Sequence, residues 1–495
     1  MIRKSFYIFA IIIVLSMAFV LNVSAEVSNY GDFFQLCSEG SYYEIRYAIN
    51  HGADLNKVDE NGATPLMYAA RYNNNPNVIT LLLNSGARLN NIDDNGHSAL
   101  FYALHNRNSF VLDRLIRSGI NLHVINNRGE NALIYASRRN LINGVRRLIR
   151  AGINLEQRDN NGWTALMHAV NNNRNRIVDE LIEAGARVNV RSRKGETALM
   201  LAVKKNNQRN TTLLLEYGAN ISLRNNQDLT AFLYAARYSD TDILNLLIDY
   251  GADIDVQDRM GLNALSYAVR YNDSLELINN LLFNGVNPNQ MDVNGVSPLM
   301  YAIRYSNRIN IIKLLIDYGA NPNARGLYKG VTPLMYALTH TNNQNLIYTL
   351  LEKGADPIAR DNMGKRVVDY LEDNDNLKGT NLYWDLYYLE PEREKINYLA
   401  YKDTERAAML AAVIPSAGHY YAGNWSRGSL FLMGEAASLI IAFNQEDTRN
   451  RNIFLGAFAA LKIWEIYDAT QETEKYNDFA EEFNEEARNY NKGLE

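Results

Sequence analysis

The sequence predicts an all-α solenoid of stacked helix–turn–helix units, followed by a short helical region of different character. Three observations predict it. Glycines recur at 62, 96, 129, 162, 195, 261, 295, 330 and 364, spaced 33 to 35 residues apart, with Asp228 standing where one is missing. A second glycine series runs through 52, 86, 119, 152, 185, 218, 251, 285, 319 and 354. Around these two series each unit repeats one grammar of turn, helix, polar turn and helix. A single such unit cannot bury its own apolar face, whereas stacked neighbours can.

Residues 1–25 come first and read as a secretory signal. Arg3 and Lys4 give the positive start, Phe6 to Leu21 the apolar stretch, and Val23-Ser24-Ala25 a small-residue cleavage site. The expectation is an exported, periplasmic or cell-envelope protein. Cys37 has no partner in the chain, which excludes a disulfide scaffold, and a lone thiol suits an oxidising compartment. With 47 % hydrophobic and 21 % charged residues, wholesale disorder is excluded. The net charge of −5 gives no support for a general nucleic-acid binder.

The repeated units occupy residues 30–372. In Asp59-Glu60-Asn61-Gly62-Ala63-Thr64-Pro65-Leu66-Met67-Tyr68-Ala69-Ala70, Asn-Gly supplies the positive φ angles of a tight turn. Thr64 can cap a helix, and Pro65 fits its first position, where a missing N–H costs nothing. A second helix follows, with Val78, Ile79 and Leu81 to Leu83 as its apolar face, and Gly86 suits the left-handed C-cap. These residues resemble the ankyrin repeat. The family's T-P-L-H-x-A core stands here as Thr64-Pro65-Leu66-Met67-Tyr68-Ala69, Ser297-Pro298-Leu299-Met300-Tyr301-Ala302 and Thr332-Pro333-Leu334-Met335-Tyr336-Ala337. Its closing G-A-D-x-N signature stands as Gly52-Ala53-Asp54-Leu55-Asn56. The resemblance implies about ten repeats including caps. One departure is systematic: the family's usual His is Met, Phe, Ile, Leu or Ser in all nine full units. That puts in question the turn-to-helix hydrogen bonds which this His makes in the family, though not the fold.

The ends of the array read as caps. Asp32 to Cys37 lacks a preceding glycine turn but leads into the second-helix pattern Ile45 to Ile49, which gives Cys37 a small, buried place. Lys365 to Leu371 keeps the pattern in a more polar form, as a terminal repeat should.

Ankyrin arrays bind through the turn tips and the exposed ends of the first helices, on the concave side, so the resemblance implies a protein partner there. The two places after the helix-1 alanines hold Arg71 and Tyr72, Arg138 and Arg139, Lys204 and Lys205, Arg237 and Tyr238, Arg270 and Tyr271, and Arg304 and Tyr305. Arg and Tyr dominate binding hot spots, because each joins a large flat area to directed hydrogen bonds. The ladder suits an acidic or aromatic protein segment, or an anionic envelope polymer. Arg beside Tyr would also suit nucleic acid, but an exported array with 36 basic and 33 acidic residues over 26–371 argues against it. Tyr68, Tyr102, Tyr135, Tyr234, Tyr267, Tyr301 and Tyr336 form a second stripe, read as packing between adjacent repeats. About one residue in eight is Asn, which suits turns and left-handed positions.

After residue 372 the period stops. Residues 373–404 read as a connector with short helices, and 405–470 as an apolar helical hairpin domain. Pro415-Ser416-Ala417-Gly418-His419-Tyr420-Tyr421-Ala422-Gly423 resembles the turn of small bacterial two-helix membrane domains of the TM2 type, with Ser416-Ala417 in place of the usual Pro-Gly. Gly418 and Gly423 would allow a tight reversal, while Tyr421 and Trp425 suit a membrane–water interface. The expectation is membrane association through 405–470. Residues 471–495 read as an acidic helical tail, and residues 372–495 together carry 12 basic and 22 acidic side chains.

A catalytic set is thin. The seven His are scattered, with no H-E-x-x-H, no zinc-ligand spacing, no phosphate-cradling glycine loop and no Gly-x-Ser-x-Gly. The reading is a non-enzymatic protein-interaction scaffold of the cell envelope without cofactor, metal or small-molecule substrate. The alternative is a structural or assembly membrane protein in which the hairpin is the active part and the array a spacer.

Overall fold

A computed structural model describes residues 32–387, apart from 307, 328 and 379. The signal (1–25), most of the connector, the hairpin domain and the acidic tail lie outside the described residues. Among those described, the chain forms helices and turns, with no strand beyond two isolated bridges, Ile92 to Ser98 and Arg360 to Arg366. No described helix is long and apolar enough to cross a membrane.

The chain divides after Tyr328 into two bodies. The first opens with a cap pair, Phe33–Glu39 and Tyr42–Asn50, in which Cys37 is fully buried and its thiol pKa is pushed up by that burial. Helix pairs follow, from Pro65–Tyr72 with Pro76–Asn84 to Pro298–Tyr301 with Ile309–Asp317. The second body holds Pro333–His340 with Gln344–Glu352, then Val367–Glu372 and Asn381–Tyr387. The last helix falls in the expected connector. It buries Leu382 and Leu386, and its Asp385 accepts from the Tyr348 hydroxyl at 2.6 Å.

Local chemistry sets each first helix. The Met67 N–H donates to Thr64 Oγ1, and Thr164, Thr197, Thr230, Ser297 and Thr332 cap in the same way. Leu66, Met67 and Ala69 then face inward with Val78, Ile79 and Leu82, all at most 1 % exposed. Burying each of the larger side chains contributes roughly 1.5–3 kcal/mol.

The turn differs from the sequence expectation. Only the glycine takes a positive φ (Gly62, +78°), whereas Asn61 does not. Gly62 N–H donates to Asp59 O, so the glycine ends the turn instead of sharing its two central places. Asp228 holds the same conformation at φ +63°, which explains how one glycine could be lost. The left-handed asparagines lie elsewhere, at Asn140, Asn173 and Asn206 between the paired helices.

Asparagine also stitches unit to unit. Asn73 Nδ2 donates to Cys37 O and Gly40 O, and Asn106 Nδ2 to Ala70 O and Asn73 O. At the turn tips, Asn127, Asn160 and Asn226 each donate a backbone N–H and a side-chain N–H to carbonyls of the tip before.

The turn-to-helix bond that the missing His put in question is present, moved one residue along. Asp59 Oδ1 accepts the N–H groups of Asn61 and Ala63, and its Oδ2 accepts the Tyr68 hydroxyl at 2.8 Å. Tyr102 on Asp93, Tyr267 on Asp258, Tyr301 on Asp292 and Tyr370 on Asp361 repeat the link at 2.7 to 2.9 Å, and His168 on Asp159 replaces it at 2.9 Å. Where the turn residue is Ser192, the helix residue is Leu201, which has no hydroxyl to place. These tyrosines therefore tie their helices to their own turns, whereas Tyr234 donates to Glu196 of the preceding unit and Tyr135 meets His105 and lies edge-on to Phe101.

Candidate functional site

The first helices of the later units in the first body end in Arg-Tyr, and two of those ends are wound as π-helix, Ala268–Asn272 and Ala302–Ser306. Both lie in units longer than the 33-residue repeat from Gly162 to Gly195. The two π segments carry Arg270-Tyr271 and Arg304-Tyr305 respectively.

Beneath these ends lie the bonded tyrosines. Each supports the exposed ring four residues on: Tyr234 with Tyr238 at 5.8 Å, Tyr267 with Tyr271 at 5.7 Å and Tyr301 with Tyr305 at 6.0 Å, the last two stacked. Burial first, then the carboxylate they donate to, pushes the Tyr267 and Tyr301 hydroxyl pKa values up, so both stay protonated donors. Tyr238, Tyr271 and Tyr305 remain 40 %, 42 % and 45 % exposed.

The arginines fill the spaces between units. Arg237 lies 4.9 Å from the Tyr238 ring of its own unit and 4.0 Å from Tyr271 of the next. Arg270 lies 4.9 Å from Tyr271 and 5.1 Å from Tyr305, and Arg304 5.3 Å from Tyr305. Lys204 reaches the Tyr238 ring at 5.9 Å. The result is one column of alternating cations and rings from Lys204 to Arg304. Each stack contributes about 0.5–1 kcal/mol at exposed sites. Arg237 and Arg270, each between two rings, make no ion pair among the described residues, so a ligand can meet their N–H groups.

The other expected positions divide. Arg71 stacks on Tyr72 in its own unit at 5.2 Å. The next unit places Asn106 after His105, so the column does not continue there. Arg138 and Arg139 both approach Tyr135, at 5.8 and 4.9 Å. Lys205 is exposed at the end of its helix.

Charge separates these cations further. Arg138 is held by Glu130, eight residues before it, through Nε at 2.7 Å and Nη2 at 3.2 Å. Burial works against the Glu130 carboxylate, but the hydrogen bonds from Arg138 and Asn126 hold its pKa below the usual range. Lys204 meets Glu196 at 3.9 Å, again eight residues back. The same place holds Ala63 before Arg71, Leu229 before Arg237 and Leu262 before Arg270. No carboxylate among the described residues pairs with Arg71, Arg237 or Arg270. Sequence reading missed the contribution of Tyr234, Tyr267 and Tyr301 to this face. Their fixed spacing of four residues from the exposed tyrosines was the available signal.

The hairpin positions Gly418, Tyr421, Gly423 and Trp425 lie outside the described residues. Among those described, no group of His, Cys, Asp or Glu could hold a metal ion. The family model for ankyrin repeats in three copies matches residues 33–124, 100–192, 176–258 and 265–361, more than half of the chain. No curated protein matches the chain.

Proposed function

Because the chain belongs to the ankyrin-repeat family, whose repeats serve protein–protein interaction, we propose that it is a non-enzymatic scaffold that binds a protein partner along the ends of its first helices. The observation that carries this reading is the column from Lys204 to Arg304. It offers exposed Tyr rings and arginines already ordered by stacking, so little side-chain entropy remains to be lost on binding. Arg71 with Tyr72, and Arg138 with Arg139 and Lys205, extend the same helix-end row at its flanks.

The scaffold operates in the cell envelope, exported by residues 1–25 and held at a membrane by residues 405–470. Support for this comes from the charged start and apolar run of the leader and from the Gly-Tyr-Gly turn around Tyr421.

Crosslinking followed by pull-down from intact envelopes tests the reading. The full chain should capture a partner that is lost when Arg237, Arg270 and Arg304 are changed to Glu. A partner retained by that variant overturns it.

A further inference from the structure

We propose that the column receives an acidic protein segment, whose carboxylates meet Arg237 and Arg270 from outside and do for them what Glu130 does for Arg138 from within. The inference rests on the scaffold reading and names the chemistry of its partner. Its basis is a comparison between units of one chain. The position eight residues before the cation is Glu in two units, and there the cation is neutralised from within, by Glu130 and by Glu196. In the units of Arg237 and Arg270 it is Leu229 and Leu262, 5 % and 6 % exposed. Those two arginines pair with no carboxylate among the described residues, yet each is fixed between rings of successive units.

The nearby carboxylates do not neutralise them. Asp258 spends one oxygen on the N–H groups of Met260 and Leu262 and the other on the Tyr267 hydroxyl. Asp292 is used in the same way by Asn294, Val296 and Tyr301. A guanidinium held between rings and without a carboxylate of its own suits a planar anion able to accept two parallel N–H groups, which a carboxylate is. Successive arginines on successive units ask for several carboxylates along one extended segment, and the Tyr rings between them accept its apolar stems.

The test supplies the missing carboxylate from within. A short fluorescent polyglutamate peptide should bind the full chain at low salt, and more weakly as salt rises. The double substitution Leu229→Glu and Leu262→Glu copies the arrangement of Glu130, itself 2 % exposed, and should weaken peptide binding about tenfold or more. Should that variant fail to fold, Arg237→Gln with Arg270→Gln places no charge in the interior and should give the same loss. Glu130→Leu, which releases Arg138, should strengthen binding. Affinity unchanged in the arginine variant, or phosphatidylglycerol vesicles binding where polyglutamate does not, overturns the proposal. A captured partner that is lost on charge reversal of the arginines but survives Leu229→Glu with Leu262→Glu overturns this inference and leaves the scaffold reading standing. A partner that ignores the arginines altogether removes both.

Discussion

The Tyr267 hydroxyl donates to Asp258 at 2.7 Å and joins the first helix of a unit to its own turn. Its ring meanwhile supports Tyr271 at the surface. A hydrogen bond from a buried hydroxyl to an ionised acceptor is worth more than a neutral one. Tyr267→Phe is therefore expected to lower stability by roughly 1.5–3 kcal/mol, read by urea denaturation. Tyr271→Phe, whose hydroxyl is at the exposed end of the pair, should stay within about 0.5 kcal/mol of the parent.

Asn210 is a second point of leverage. It is fully buried, with neither side-chain oxygen nor nitrogen hydrogen-bonded, in the place that Ile177 and Ile243 hold in the flanking units. Leaving a buried amide unpaired costs about 1–3 kcal/mol. Asn210→Ile should recover that amount, seen as a higher urea midpoint and slower amide exchange in the helix Gln208–Glu216. A lower midpoint would show that the apolar side chain does not fit.

His97 and His105 make the array sensitive to acid. Burial lowers both pKa values. For His97 it prevails over Asp93 and Glu130, and for His105 the positive charges of Arg71 and Arg139 add to it. Both imidazoles are therefore neutral in the folded state at a pH where the unfolded chain already binds protons. Stability should be full above about pH 6.5 and fall as the pH drops below it. Because His105 Nε2 also touches the Tyr135 hydroxyl at 2.9 Å, His105→Gln should keep a polar contact while flattening this part of the pH profile in thermal melts.

Asn73 tests the stitching between units. Its amide reaches two carbonyls of the N-terminal cap, Cys37 O and Gly40 O, from a buried position. Asn73→Ala leaves both without that donor and should cost roughly 1–3 kcal/mol. The loss should concentrate in the cap, where exposure of Cys37 to a thiol reagent would rise in step.

Much of this was legible from the chain because it is local. Gly86 and Gly62 mark chain reversals, Thr64-Pro65 starts a helix, and the period between them is visible without neighbours. The exposed places of the column, Arg237-Tyr238 and Arg270-Tyr271, also follow from helix register. What was not legible depends on pairs across a unit. The Asp59–Tyr68 link was obscured because the family's motif has its His at Met67, whereas the bonding side chain here is the next residue. Its signal was the joint loss at Ser192 and Leu201, together with the constant separation of nine residues. The eight-residue pairing of Glu130 with Arg138 was equally hidden, since it matters only once both side chains share a face. The π winding of Ala268–Asn272 is likewise hidden, since the equally long unit from Gly62 to Gly96 keeps the α-helix Pro65–Tyr72.

The asparagine hydrogen bonds between turn tips run one way, while Arg158, Arg191 and Arg224 donate the other way, to Arg191 O, Arg224 O and Gln257 O of the following tips. Asn127, Asn160 and Asn226 each reach back to carbonyls of the preceding tip. A chain made from its N-terminus thus meets the acceptors of these asparagines already built. Growth can proceed by accretion, one unit at a time, onto the cap that encloses Cys37. A unit arriving out of register finds no carbonyl where its asparagine needs one, so the tips proofread the stack while it is being laid down.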